Sequence, residues 1–201
     1  MSNTKQALLD VAETLFAERG YYGVSIANVA DELGLTKQAL LHHYGSKGRL
    51  YGAVLERISR DYLSAVASAS DADRDPAERL GDLLIELFQR SLDNPTRDRL
   101  LMRELLDNHE RANEAEAWYL RDFLKSLVGL LVQCPSWSRA SSAQAFSAVY
   151  QLVGAVAYFS VSAPTLIAMG GKLGYRQVCN AFPSQIRHTV TSVVDAGPPP
   201  H

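Results

Sequence analysis

Cysteine is nearly absent: Cys134 and Cys179 are the only two in 201 residues. They lie far apart, with no CxxC and no neighbouring His pair, which excludes a disulfide framework and gives no metal site. No cofactor is expected, and both thiols are expected to be buried and inert. Strand-like alternation is missing, and so is any internal repeat. No nucleophile elbow, P-loop, HExxH or dinucleotide glycine pattern occurs, so an enzyme is not expected. His109 beside Glu110 is an isolated pair in a polar segment. The first residues lack a charged start followed by an apolar core, so no secretory leader is expected and the expected compartment is the cytoplasm.

Charge is absent from one long run. Between Arg139 and Lys172 there is no Asp, Glu, Lys or Arg, enough chain to cross a bilayer. Several features oppose a membrane reading. Ser141, Ser142, Gln144, Ser147, Gln151, Ser160 and Ser162 are scattered through the run, and Pro164 breaks it. No basic cluster marks a cytoplasmic flank. A helix apolar on every side also results when one face packs in its own subunit and another in a partner. A buried dimer helix is therefore expected, and no membrane.

What is present reads as helix almost throughout. Hydrophobic residues make up 47% of the chain, sufficient for a packed core. Leu8, Val11, Ala12, Leu15 and Phe16 form one apolar stripe that Gly20 stops. Ser25 is placed to cap a helix through Ile26, Val29, Ala30 and Leu33, stopped by Gly34. Thr36 caps a short helix to about His43, and Ser46 a longer one towards Ser68. Residues 71–75 read as a polar link. Asp75-Pro76-Ala77-Glu78 then opens a helix with Leu80, Leu83, Leu84, Leu87 and Phe88 on one face. After Asn94-Pro95 another helix turns Leu101, Met102, Leu105 and Leu106 inward. Asn113 with Glu116 caps a helix through Leu120, Leu124, Leu127 and Leu131, ended by Cys134-Pro135. Ser141 with Gln144 has capping-box spacing for a helix ending before Pro164. A last helix is expected from around Pro183 over Ile186, Val190, Val193 and Val194.

The formal net charge is −2, which does not announce a nucleic-acid binder, but its distribution is uneven. From Gly34 to Arg60, Lys37, Lys47, Arg49, Arg57 and Arg60 face the single Glu56. The same stretch holds a helix, tight turn, helix pattern over residues 25–44, SIANVADELG then LTKQALLHHY. Such a unit needs a small residue where the helices cross, met by Ala30. It needs a permissive turn residue, met by Gly34, and an apolar anchor after it, met by Leu35. Leu40 and Tyr44, four apart, should face inward. Gln38 and His42 then point outward, with Lys37 and Leu41 on the flanks. A recognition helix offers its first residues to base edges in the major groove, where Gln pairs with adenine and Lys with guanine or phosphate. A plain helical hairpin with a solvated Lys-Gln-His face is the competing structural explanation.

From about Lys5 to Leu55 the chain resembles the DNA-binding domain of the TetR family. The matching stretches are AETLFAERGYYGVSIANVADELG and LTKQALLHHYGSKGRLYGAVL, closing with Tyr44, Gly45, Ser46, Lys47 and Leu50. The resemblance implies an all-α fold: a three-helix helix-turn-helix domain, residues 1–48, and a larger helical domain for effector binding and dimerisation, residues 49–196. The tail, residues 197–201, is expected to be disordered, and about nine helices are expected in total. It implies that Thr36, Lys37, Gln38, Ala39, His42 and His43 face DNA, while Ser25 and Lys47 hold phosphates at helix starts. Two departures stand out. Leu41 replaces a frequent tyrosine and suits an apolar contact with DNA. Gly48 replaces a common acidic residue and weakens the start of its helix by about 1 kcal/mol relative to Ala.

The resemblance further implies a homodimer through the last two long helices and a small-molecule effector whose binding shifts the recognition helices. Ala148, Gly154, Ala155 and Ala157 would let helices approach closely at the dimer seam. Candidate pocket residues are Met102, Trp118, Tyr119, Phe123, Tyr150 and Phe159, with ordinary core packing as the competing explanation for each. Few charges lie nearby, so the effector is expected to be apolar. The expected function is a ligand-responsive transcriptional regulator, a repressor acting on a near-palindromic operator in double-stranded DNA. The alternative is a helical protein-interaction module whose DNA-binding motif is degenerate.

Overall fold

Side-chain caps and left-handed glycines punctuate the chain as the sequence suggests. The computed structural model describes residues 2–68, 73–107 and 119–200. Its helices are α1 Ser2–Arg19, α2 Ile26–Asp31, α3 Lys37–Tyr44, α4 Lys47–Ser68, α5 Pro76–Asp93, α6 Thr96–Asp107, α7 Arg121–Leu131, α8 Ser142–Val161 and α9 Ala163–Ala196. A 3-10 turn, Pro135–Trp137, precedes α8, and the described residues contain no strand. Gly20, Gly34 and Gly45 end α1, the α2 region and α3 at φ of 71°, 64° and 76°, a conformation that only glycine adopts cheaply.

The chain divides into two packing units. The first holds Met1–Arg60 with Asn94–Tyr119, the second Asp61–Asp93 with Leu120–His201. The first unit therefore includes α6, which the sequence division at residue 48 assigned to the other domain. Its core joins Leu8, Ala12, Leu15 and Phe16 of α1 to Val29 and Ala30 of α2, Leu40 of α3, Leu50, Val54 and Ile58 of α4, and Leu100 of α6. Polar ties explain why α6 belongs here. Glu13, buried on α1, takes Arg57 of α4 on one carboxylate oxygen and Arg97 Nε of α6 on the other, the latter at 3.1 Å. Arg103 of α6 donates to the carbonyls of Ala17 and Glu18 at 2.8 and 2.9 Å, placing a cation on the C-terminal carbonyls of α1. Tyr51 Oη donates to Glu104 Oε2 at 2.5 Å.

These ties also reverse the expected face of α6. Leu105 and Leu106, expected inward, are exposed, and Leu101 and Met102 are only half-buried. The face turned to α1 and α4 instead carries Arg97, tied to Glu13 of α1, buried Leu100, and Glu104, which accepts from Tyr51 of α4.

In the second unit the expected α5 face is buried: Leu80, Leu83, Leu84, Leu87 and Phe88. It meets Phe123, Leu127, Leu130 and Leu131 of α7, the stripe Ala145, Val149, Leu152, Val156 and Ser160 of α8, and Ile186 and Val190 of α9. The Asn113–Glu116 cap lies outside the described residues, as do His109 and Glu110; α7 is described from Arg121 onward. Ser141 and Gln144 form the expected reciprocal box at the start of α8. By length and composition α8 could cross a membrane, yet that buried stripe packs within the unit.

Helix α9 departs most from expectation. It starts twenty residues earlier than Pro183, at Ala163, where Pro164 occupies a position whose amide needs no partner. Gly171, at φ 70° and ψ 172°, breaks it once, and Pro183 then sits inside the second segment. Side chains around the start of α8 tie the end of α9 and reach the tail at Pro199. Trp137 Nε1 donates to the Val193 carbonyl at 3.0 Å and Ser136 Oγ to that of Val194 at 2.6 Å. Gln144 Nε2 donates to Pro199 O at 2.8 Å. Of the two thiols Cys134 is buried, which pushes its pKa up, while Cys179 is only half-buried.

Removing Glu13 would leave Arg57, itself almost buried, without its inner counter-charge. Glu13→Ala is expected to cost about 3–5 kcal/mol, whereas Asp10→Ala, whose carboxylate is 60% exposed, should cost less than about 1 kcal/mol. Urea unfolding of the two variants checks the contrast.

Candidate nucleic-acid interface

The site is built by two capped helices and the turn between them. Ser25 accepts from the Asn28 amide at 3.1 Å while the Asn28 side chain accepts from the Ser25 amide at 3.0 Å, a closed capping box. The chain then turns on Gly34, and the Leu35 amide reaches back to the Ala30 carbonyl at 2.9 Å. Ala30 is fully buried, as a close helix crossing requires. Thr36 Oγ1 accepts from the Ala39 amide at 3.2 Å and starts α3.

Helix α3 is anchored from beneath. Leu40 and Tyr44 are buried, and Tyr44 Oη donates to the Lys5 carbonyl of α1 at 2.8 Å. Burial pushes the Tyr44 hydroxyl up to about 12, so it remains a donor at neutral pH. With that side turned inward, Thr36, Lys37, Gln38 and His42 are exposed, and Ala39, Leu41 and His43 are half-buried on the flanks. The rings of His42 and His43 meet edge to face, centroids 5.8 Å apart. Ser46 Oγ accepts from the Arg49 amide at 3.1 Å and caps α4. Lys47, half-buried, holds its ammonium 4.3 Å from the centre of the Tyr21 ring.

The positive charge is thinner than the sequence suggests. Arg57 points inward to Asp10 and Glu13, and Arg60 pairs with Glu56 at 3.2 Å. Both counted towards the basic patch by position alone, but contacts with α1 and one turn back along α4 offset them. Two cations outside the expected DNA-facing set lie beside α3. Lys5 and Arg49 line an open cleft with His43 and Tyr44 at the end of that helix. Arg49 was visible as part of the basic run, whereas Lys5 is near α3 only through the long-range Tyr44 bond.

The proposed pocket residues are not gathered in one place. Met102 and Tyr119 belong to the first unit; Phe123, Tyr150 and Phe159 belong to the second. Trp118 lies outside the described residues. The Tyr119 carbonyl accepts from Ser59 Oγ. Phe123 is buried against Tyr62, and Phe159 stacks on Phe182 with centroids 4.0 Å apart and meets Phe88 edge-on. Tyr150 is half exposed and stacks on exposed Phe146. Helical spacing made core and surface aromatics look alike.

Comparison with known proteins gives a consistent picture. Residues 8–54 match the family model described as bacterial regulatory proteins, tetR family. The transcriptional activator FasR of Mycolicibacterium smegmatis is 37% identical over 73 residues, covering 36% of this chain and 33% of that protein. The transcriptional repressor KstR2 of Rhodococcus jostii is 36% identical over 75 residues, covering 35% of this chain and 37% of that protein. The sequence likeness thus spans about a third of either relative. A solved structure, a TetR-family transcriptional regulator from Bordetella parapertussis, superposes with a TM-score of 0.70 at 16% identity, covering 94% of this chain and 95% of its own. That likeness extends the fold to nearly the whole chain.

Gly48, exposed in the first turn of α4, has room for a side chain. A Cβ there would meet only Tyr21 Oη at 3.6 Å and Ser46 Oγ at 3.9 Å, ordinary contacts. Gly48→Ala should therefore stabilise the protein by about 0.5–1 kcal/mol. The check is a higher urea midpoint with an unchanged denaturant slope.

Proposed function

We propose that this chain, whose residues 8–54 match the family model described as bacterial regulatory proteins, tetR family, is a member of that family and acts as a dimeric, ligand-responsive transcriptional repressor. One observation carries the DNA-binding part. The first turn of α3 presents Thr36, Lys37 and Gln38 to solvent while Leu40 and Tyr44 hold the helix down. That arrangement suits a recognition helix in the major groove. Gln38 and Lys37 are the proposed base-reading residues, with His42, His43, Ala39 and Leu41 flanking them. Ser25, Thr36 and Lys47 are the proposed backbone contacts, since each stands at a helix start whose amides favour an anion.

Dimerisation is proposed through α8 and α9. Phe146, Tyr150 and Tyr158 line the exposed side of α8, and Val178 is exposed on α9. Gly154 and Ala155 lie among those aromatics, small enough for close helix approach. A two-fold dimer places two recognition helices on half-sites about one DNA turn apart, so the operator would be near-palindromic. The effector is proposed to be small and apolar, taken up among the aromatic residues of the second unit, with Phe123 and Phe159 as lining residues. It would release the protein from DNA by binding the released form more tightly.

Selection of bound duplexes from a random pool tests this reading. A near-palindromic site is expected, and Gln38→Ala should cost about 1–3 kcal/mol on it and relax its sequence preference. Binding without preference, or none, would favour a protein-interaction module. Tyr158→Glu on the proposed seam should shift the protein to monomer in sedimentation and weaken operator binding with it.

A further inference from the structure

We propose that Lys5 of α1 and Arg49 of α4 are backbone-phosphate contacts, a pair seated at the C-terminal end of α3 and separate from the residues that read bases. The proposal rests on the DNA-binding reading above and extends it to residues that the recognition-helix pattern does not include. Lys5 is exposed, yet its backbone is tied to α3: its carbonyl accepts the Tyr44 hydroxyl at 2.8 Å. Its ammonium lies 5.6 Å from the centre of the Tyr44 ring. A cation near the chain's N-terminus is thereby held beside the last residue of α3.

Arg49 reaches the same place from the other side. Its amide is fixed on Ser46 Oγ at 3.1 Å, and its guanidinium folds back over the α3–α4 turn. Nη1 stands 3.3 Å from where a Cβ on Gly45 would be. Gly45 has φ 76°, so the turn favours glycine and leaves that space to the arginine.

The two cations line one cleft whose floor includes Leu9, Leu41 and Ala53. Its other charged groups are Glu56, Arg57 and Arg60, besides His42 and His43. Glu56 and Arg60 pair with each other, and Arg57 is taken by Asp10 and Glu13. The cleft is therefore cationic through Lys5 and Arg49. It shares His42 and His43 with the proposed recognition surface, so a duplex lying on α3 would bring a phosphate strand to it. Such contacts fix position and register and carry no sequence information directly. A purely structural role is the competing explanation, because cations near a helix C-terminus also stabilise that helix.

Salt dependence separates the two. The full chain is titrated with the selected operator and with an unrelated duplex over a range of ionic strength. Lys5→Gln and Arg49→Gln each remove one contact in each half-site of the dimer, and each is expected to reduce the slope of log K against log salt by about 1.8. Both duplexes should weaken by a common factor, leaving the preference between them unchanged. Arg60→Gln is the control. At about 1.5 Å of rise per residue it lies roughly 17 Å beyond Arg49 along α4, and its slope should match the parent. Unchanged slopes for Lys5→Gln and Arg49→Gln, with a lowered thermal midpoint, would overturn the proposal in favour of the structural role. A changed sequence preference would overturn it in favour of base reading. Absence of duplex binding by the parent protein would overturn the DNA-binding reading itself, an outcome distinct from either.

Discussion

A carboxylate buried in the first unit sets the conditions for everything built around it. Glu13 sits on α1 with almost no solvent, and an isolated charge there would be untenable. Arg57 and Arg97 make it tenable, and each comes from a different helix. The chain can therefore bury the apolar face of α1 only by bringing α4 and α6 to it together. Helix α3 then has a defined bed. Leu40 and Tyr44 pack beneath it, and the Tyr44 hydroxyl reaches the first turns of α1. The outward direction of Lys37 and Gln38 follows from that chain of contacts and not from any property of those two residues.

The local parts of this arrangement were legible in the sequence. Ser25, Thr36, Ser46 and Ser141 cap the helices they were expected to cap, because a capping bond spans three residues and needs nothing from elsewhere. Gly20 and Gly34 stop chains where expected for the same reason. The parts that spacing alone does not decide depend on distant partners. Leu105 and Leu106 share the apolar character of Leu100, and only the ties from Arg97, Arg103 and Glu104 decide which side of α6 turns inward. Arg57 looks like a surface cation until Asp10 and Glu13 are seen to claim it. Pro183 reads as a helix start, yet α9 carries it inside and breaks at Gly171, where the backbone enters a region reserved for glycine.

The same distinction separates the two halves of the functional reading. A recognition helix is written in consecutive residues, so its exposed set could be named from spacing. A pocket is assembled from residues far apart in the chain. Phe159 and Tyr150 are both aromatic and both on α8, but one stacks in the core on Phe182 while the other faces solvent beside Phe146. Helical period alone does not rank them.

The contacts that hold the end of α9 have a consequence for how the protein opens. Final helical turns ordinarily fray, because their carbonyls lack amide partners. Here the carbonyls of Val193 and Val194 accept an indole and a hydroxyl from the turn before α8. Amide protons in that last turn should then exchange with solvent only when the latch itself parts, on the schedule of the surrounding core and not of a loose end. Trp137 sits at that joint with its ring buried, so its emission reports the same event. Isotope exchange and fluorescence would accordingly register one opening, seen from opposite sides of a single hydrogen bond.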